Sequence, residues 1–127
     1  YEKTIFLISA LFFFLISILL VLSSCKKDPS VLKVFVRSEN NQLVENAKVI
    51  IIADVNSDPP TPEYVDTVQT NGSGFAYFDL EDFYAKMGKK ETVGYFDVLA
   101  KQDPKQGDGY IRCRKHITNV ITVIIPD

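Results

Sequence analysis

The chain has few of the residue types that build catalytic and metal centres. Its 127 residues include no tryptophan, two cysteines and a single histidine, His116. One histidine cannot by itself complete a zinc site, and we interpret His116, beside Lys115, as a surface residue near a strand end. Its serines, among them Ser57 and Ser73, show no histidine and acid partners of the kind a nucleophilic triad needs. We therefore expect no metal, no cofactor and no enzymatic activity.

An excess of basic residues is also missing. Fourteen lysines and arginines stand against sixteen aspartates and glutamates, which gives a net charge of −2. This balance argues against nucleic acid as a partner. Arg112, Arg114 and Lys115 form a small basic stripe, which we interpret as a solvated strand face. Contact of this stripe with an acidic partner or with lipid head groups is the alternative.

Two further patterns resemble ligand sites only superficially. Asp54, Asp58 and Asp66 flank one loop, but they lack the spacing of an EF-hand, so we interpret them as solvated loop acids. Gly72-x-Gly74 has no helix after it, and this indicates a turn rather than a phosphate-binding loop.

The most prominent feature present is one long apolar run, residues 5–22, which contains no charged residue. As a helix rising about 1.5 Å per residue it would span roughly 27 Å, close to the thickness of a bilayer core. A segment that is apolar on every face does not suit the surface of a small soluble domain. The sequence thus predicts an N-terminal helix that enters a membrane at some stage.

The run ends in Leu22-Ser23-Ser24-Cys25, which resembles the lipobox of bacterial lipoproteins. The resemblance implies that residues 1–24 are a signal peptide, that Cys25 is acylated after cleavage, and that residues 25–30 form a lipid-bearing tether. Two or more acyl chains anchor a protein stably without any helix. The charged residues after Cys25 are similar to sorting signals of some Gram-negative lipoproteins. We therefore expect an outer-membrane lipoprotein on the periplasmic or the surface side.

A retained transmembrane helix is the alternative. The run is longer than the usual apolar core of a signal peptide, and Glu2 offsets the charge of Lys3. If the helix stayed in place, Lys26 and Lys27 would favour the cytoplasmic side.

The second cysteine bears on the same choice. Cys113 lies in an alternating run, so we expect a buried free thiol. If Cys25 carried no lipid, it could form a disulfide bond with Cys113 in an oxidising compartment.

The remainder of the chain has the pattern of an all-β domain. Short runs rich in β-branched and aromatic residues are separated by turn residues. They predict a seven-stranded antiparallel sandwich over residues 31–127. The predicted strands cover residues 31–38, 47–54, 64–70, 75–80, 92–101, 110–117 and 119–125. Residues 81–90 predict a short helix with Asp82 as N-cap and Gly88 as terminator, and residues 102–109 predict a loop.

Four segments of this domain are similar to the carboxypeptidase-regulatory, transthyretin-like domains. They are Val34-x-Val36, Leu43-Val44-x-Asn46-Ala47-x-Val49-x-Ile51, Thr70-Asn71-x-x-Gly74-x-Ala76-x-Phe78 and Tyr95-x-Asp97-Val98-x-Ala100. Asn46 replaces a usual glycine and Asn71 a usual aspartate. The resemblance implies an Ig-like or transthyretin-like sandwich, with Gly74 at a positive φ or a close backbone approach.

These observations predict a cell-envelope lipoprotein that acts as a non-enzymatic accessory or binding subunit. Its expected partners are the membrane, through acylated Cys25, and another envelope protein. The apolar run Val120–Ile125 is the expected exposed edge strand for such a partner. The alternative is a pilus- or filament-type structural subunit that keeps its N-terminal helix.

Overall fold

The apolar run forms a helix in the computed structural model, which describes residues 2–23 and 27–126 and the side-chain surroundings of residues 2–17 and 27–126. This helix, α1, covers Glu2–Ser23. All its side chains from Glu2 to Ser17 are exposed. Within the described residues, no helix meets the length and apolarity of a candidate membrane span.

Seven strands and a second helix follow α1, as the alternation of the sequence predicts. The four-stranded sheet has the order β3-β2-β5-β6 and the three-stranded sheet the order β4-β1-β7. Together they form a β-sandwich. The elements are β1 (Val31–Ser38), β2 (Lys48–Ala53), β3 (Val65–Gln69), β4 (Phe75–Asp79), α2 (Glu81–Met87), β5 (Val93–Gln102), β6 (Lys105–Arg114) and β7 (Thr118–Ile125).

The prediction of a wholly antiparallel sandwich was wrong for one pair of strands. β1 and β7 run parallel over eight residues, from Val31 opposite Thr118 to Ser38 opposite Ile125. The chain leaves β6 in one sheet and enters β7 in the other, and this crossing sets β7 alongside β1 in the same direction. Alternation along a strand is the same for either direction, so it could not distinguish the two.

The predicted loop over residues 102–109 was wrong as well. Only a tight turn at Asp103 and Pro104 separates β5 from β6, and the predicted sixth strand begins at Lys105 and ends at Arg114. The glycines that suggested a loop serve a close approach of the two sheets. A Cβ added at Gly107 would lie 2.2 Å from the Ile124 carbonyl oxygen. A glycine in a strand that lies against another backbone gives the same local pattern as a turn.

Helix α2 lies over one end of the sandwich, and its first turn differs from the predicted cap. The residue before the helix is Leu80, which makes no capping hydrogen bond through its side chain. Asp82 lies inside the helix, and the carboxylate of Asp79 accepts the hydrogen bond of the Glu81 N–H, at 2.9 Å. Gly88 ends the helix with φ 84°, as predicted.

Aromatic rings fix α2 to the core. Phe83 packs edge-on against Phe96, with ring centroids 5.0 Å apart. The buried Tyr84 hydroxyl donates to the carbonyl oxygen of Cys113 at 2.8 Å. Burial raises the pKa of Tyr84 far above its usual range. The helix thus covers the core at this end of the sandwich with Phe83 and Tyr84.

The connection from β3 to β4 confirms the predicted role of Gly74. This residue has φ 76°, and a Cβ added to it would lie 3.0 Å from Leu43. Asn46 adopts φ 61°, so it can replace glycine at a turn that needs a left-handed backbone. Beside it the buried Thr70 hydroxyl donates to the Val44 carbonyl oxygen and accepts from the Ala47 N–H.

Candidate functional site

The last residue of the predicted tether, Ser30, is held by the sandwich. Ser30 is fully buried. Its N–H donates to a carboxylate oxygen of Glu81, and its carbonyl oxygen accepts from the Leu80 N–H at 2.9 Å. Its hydroxyl oxygen accepts from the His116 N–H at 2.8 Å. The backbone is therefore held from Ser30 onwards by groups 50 to 86 residues away in the chain.

The turn between β6 and β7 forms the other half of this attachment. His116 lies in the turn rather than in a strand, with φ 64°, and its Nδ1 is 3.1 Å from the Asp28 carbonyl oxygen. The amide of Asn119 donates to the carbonyl oxygens of Val31 and Arg114, both at 3.0 Å. We call Asp28–Val31 together with residues 115–119 the tether clamp. Local pattern gave no signal for it, because its partners are distant in sequence.

The lipidation site predicted from the sequence, Cys25, precedes the first residue of this clamp by three positions in the chain. Leu22 and Ser23 lie in the last turn of α1. Ser24 and Cys25 lie outside the described residues. Two residues separate Cys25 from Asp28. Three steps along an extended chain cover at most about 3.5 Å each, or roughly 10 Å. The clamp therefore holds the sandwich close to any lipid on Cys25.

The three-stranded sheet has an outer face on which apolar and cationic side chains alternate. Register places Lys33 between Tyr77 and Val120, and Phe35 between Phe75 and Thr122. Val120 is 54% exposed, and the Lys33 ammonium lies 5.1 Å from the centre of the Phe75 ring. We call this surface the β1 face. It comprises Lys33, Phe35, Arg37, Phe75, Tyr77, Asp79, Thr118, Val120, Thr122 and Ile124.

The outer face of the four-stranded sheet mixes both signs of charge. Asp97 pairs with Tyr110 and Leu99 with Asp108, so carboxylates stand in the middle of this face. Arg112 and Arg114 of the predicted basic stripe are exposed on β6, whereas Lys115 is half-buried in the turn. The stripe therefore belongs to a surface of mixed charge.

One tyrosine pair on this second face is joined to a loop acid. The rings of Tyr95 and Tyr110 stack with centroids 6.1 Å apart. The Tyr110 hydroxyl donates to Asp54 Oδ2 at 2.7 Å, and this hydrogen bond raises the pKa of Tyr110 to about 12. Asp54 Oδ1 accepts from the Asn56 N–H. Among residues 2–23 and 27–126 no cluster of three metal-ligating side chains occurs.

Cys113 is a free thiol and is fully buried, as the alternating pattern predicts. Burial raises its pKa to about 12. A thiol with so high a pKa is a poor nucleophile at neutral pH, so its contribution is to packing.

Comparison with known proteins supports the fold alone. No family model matches the chain, and no curated protein matches it. A solved structure described as "The Bacillus anthracis TIE protein" is similar, with a TM-score of 0.51 and 14% sequence identity over 79% of this chain. The chain corresponds to 17% of the length of that structure. The class that fold and comparison define is a small β-sandwich.

Proposed function

We propose that the chain is a non-enzymatic lipoprotein of the bacterial cell envelope, tethered by acylated Cys25 and acting as an accessory or binding subunit. One observation carries the proposal: the large hydrophobic side chains of α1 from Ile5 to Ile16 are exposed rather than packed in the sandwich. Those from Ile5 to Ile16 are between 39% and 73% exposed. Exposure of so much apolar surface to water is unfavourable. The segment must therefore be buried in lipid or be removed from the protein.

The attachment of Asp28–Val31 to the sandwich supports the same proposal. A protein held on lipid needs a linkage that survives in water next to the head groups, and the tether clamp is such a linkage. Its buried polar groups at Ser30 and Asn119 all have hydrogen-bond partners. We place the protein on the outer membrane of a Gram-negative bacterium, with another envelope protein as its partner.

We also propose that the sandwich is of the transthyretin-like, carboxypeptidase-regulatory kind. Each of the four motif segments occupies a place that suits this assignment. Val34-x-Val36 lies in β1, Asn46 turns the chain into β2, and Gly74 closes the turn into β4. The fourth segment, residues 95–100, lies in β5. Domains of this kind in envelope proteins commonly work by contact, so the assignment agrees with an accessory role.

The intact mass of the protein from bacterial membranes tests the tether. We expect loss of the chain up to Ser24 and the added mass of acyl groups on Cys25. Cys25→Ser should prevent both changes, whereas Cys113→Ser should be processed normally, because that thiol is buried in the folded domain. An unmodified chain that keeps α1 would contradict the proposal.

The same measurement separates the second candidate, a pilus- or filament-type subunit. Two observations favour it: α1 is continuous to Ser23, and β7 is an edge strand with exposed Val120 and Ile124. A retained helix could assemble with copies of itself, and the β7 edge could accept a strand. Gly107 of β6 lies close to the Ile124 carbonyl oxygen, so β6 covers part of this edge.

A further inference from the structure

We infer that the turn between β3 and β4 is a self-modification site, at which Asn71 loses its side-chain amide and becomes a carboxylate. The backbone nitrogen of Gly72 is the nucleophile, and water is the only other reactant. This inference does not depend on the proposed membrane tether, because it uses only the turn and the neighbouring Glu45.

Asn71 is the one asparagine of the chain that precedes a glycine. In this reaction the backbone nitrogen of the following residue attacks the side-chain amide carbon, and a Cβ on that residue hinders the approach. Glycine has no Cβ and a more mobile backbone, so Gly72 offers the least obstruction. Asn71, Gly72 and Ser73 are all exposed, and water therefore reaches the reacting groups.

Two backbone donors hold the side-chain oxygen of Asn71. Its Oδ1 accepts from the Ser73 N–H at 2.9 Å and from the Phe75 N–H at 3.3 Å. Negative charge develops on this oxygen when the Gly72 nitrogen attacks, and donors already aimed at the oxygen stabilise that charge. Because both partners are donors, they turn Oδ1 towards themselves and leave Nδ2, the leaving group, on the opposite side of the amide.

A carboxylate stands beside the attacking residue. Oε1 of Glu45 lies 3.8 Å from the position that a Cβ on Gly72 would occupy. A carboxylate at this place can accept the proton of the Gly72 N–H, directly or through one water. The turn thus brings together an electrophile, a nucleophile, oxyanion donors and a base, which are the components of an acyl-transfer site.

The reaction consumes one water and releases one ammonia. The Gly72 N–H gives up its proton to the base, and its nitrogen bonds to Cγ of Asn71. The bond from Cγ to Nδ2 then breaks, and the amide nitrogen leaves as ammonia with one added proton. Water next opens the cyclic imide at Cγ, which returns a proton to the Gly72 nitrogen and leaves aspartate. Opening at the backbone carbonyl instead leaves isoaspartate, which has the same mass.

An aspartate at position 71 suits the turn. Its carboxylate accepts the same two N–H groups, and hydrogen bonds to a carboxylate are stronger than those to a neutral oxygen. The backbone hydrogen bonds stay in place: the Gly74 N–H donates to the Asn71 carbonyl oxygen at 2.9 Å, and the Asn71 N–H to that of Phe75 at 3.0 Å. The conversion therefore adds one negative charge to the turn and removes no contact of β4.

Peptide mass spectrometry tests the inference on the full chain, incubated in detergent at slightly alkaline pH. We expect the peptide that contains Asn71 to gain the mass that replaces NH2 by OH, ahead of those that contain Asn46 or Asn56. In a sample unfolded with denaturant, conversion at Asn71 should be slower by about threefold or more, since unfolding removes the oxyanion donors and the base.

Two variants separate the roles of the neighbouring residues. Gly72→Ala should reduce conversion to the level of Asn46, and the fold has room for it, because the added Cβ meets only Glu45 within 4 Å. Glu45→Gln should slow conversion by roughly threefold or more, as expected for loss of a base. Glu63→Gln, exposed at the other end of β3, is the matched control and should leave the rate unchanged.

Conversion that is as fast or faster in the unfolded chain would overturn the inference, because the hydrogen bonds would then lock Asn71 instead of activating it. The absence of conversion in the folded chain, or a rate that Gly72→Ala does not change, would overturn it as well. An unchanged rate in Glu45→Gln would reject Glu45 as the base.

Discussion

Helix α1 and the sandwich core contain similar apolar residues, but those of the core are buried and those of α1 are exposed. In the core, Leu32, Phe78 and Phe96 are fully buried among partners from both sheets. In α1, Phe6 is 73% exposed and Phe12 62%. The hydrophobic effect favours burial of both sets of side chains. The two regions therefore differ in where the apolar surface that covers them is found. The core side chains of the sandwich pack against one another, whereas the exposed side chains of α1 need apolar surroundings outside the domain.

The largest effect should come from opening the core at the aromatic cluster. Phe96→Ala removes a buried ring that contacts Phe83 and Tyr64. We expect the free energy of unfolding to fall by about 3–5 kcal/mol, measured by chemical denaturation of the full chain in detergent. A loss under about 1 kcal/mol would mean that the core does not depend on this end of the sandwich.

The seam between β6 and β7 should show the next largest effect. Gly107→Ala places a methyl group against the backbone of Ile124, so the two sheets must move apart. We expect a loss of about 1–3 kcal/mol in the same assay. Gly109→Ala is the matched control: its Cβ would lie 3.0 Å from the end of the Ile121 side chain, which can rotate away. Equal losses at both glycines would contradict the close backbone approach.

Alkaline pH should weaken the core but not α1, because the buried thiol resists ionisation. The pKa of Cys113 is raised from 9.0 to about 12, so the unfolded chain loses this proton first as pH rises. The Cys113 thiol makes its full contribution to the free energy of unfolding below pH 9, and this contribution declines between pH 9 and 12. The slope is about 1.4 kcal/mol per pH unit for one proton. Cys113→Ala should reduce the slope by that amount; an unchanged slope would contradict burial of the thiol.

The smallest effect is expected in α1 itself. Phe12→Ala should change the unfolding free energy of the sandwich by less than about 0.5 kcal/mol, as for other exposed positions. Since Phe12 is 62% exposed, its ring has little packing to lose within the protein. A larger loss would show that α1 packs on the domain, and the contrast between the two regions would then fail.

Much of the fold could be predicted because strand alternation is local. Leu32, Val34 and Val36 alternate with Lys33 and Arg37, and the structure buries the first set as expected. Gly107 and Gly109 misled the prediction of β6, because each lies close to a residue of β7 in the other sheet: Gly107 to Ile124 and Gly109 to Ile121. The parallel pairing of β1 with β7 likewise depends on a crossing between sheets, which no local pattern encodes.

The candidate site was less accessible to prediction, for a related reason. The outward position of Lys33 and Arg37 follows from alternation in β1. The β1 face as a surface does not, because it combines three strands that are far apart in sequence. Ser30 was the clearest omission: a serine in a short polar linker gives no sign that it will be fully buried.

The parallel pair of β1 and β7 has a mechanical consequence. The clamp passes straight into β1, and the two strands share a register of eight residues. A pull on the chain at Asp28, opposed at the far end of β7, acts along the strands and slides one past the other. The hydrogen bonds of the pair then bear the load together instead of rupturing one by one. The domain is thus built to resist traction along its attachment.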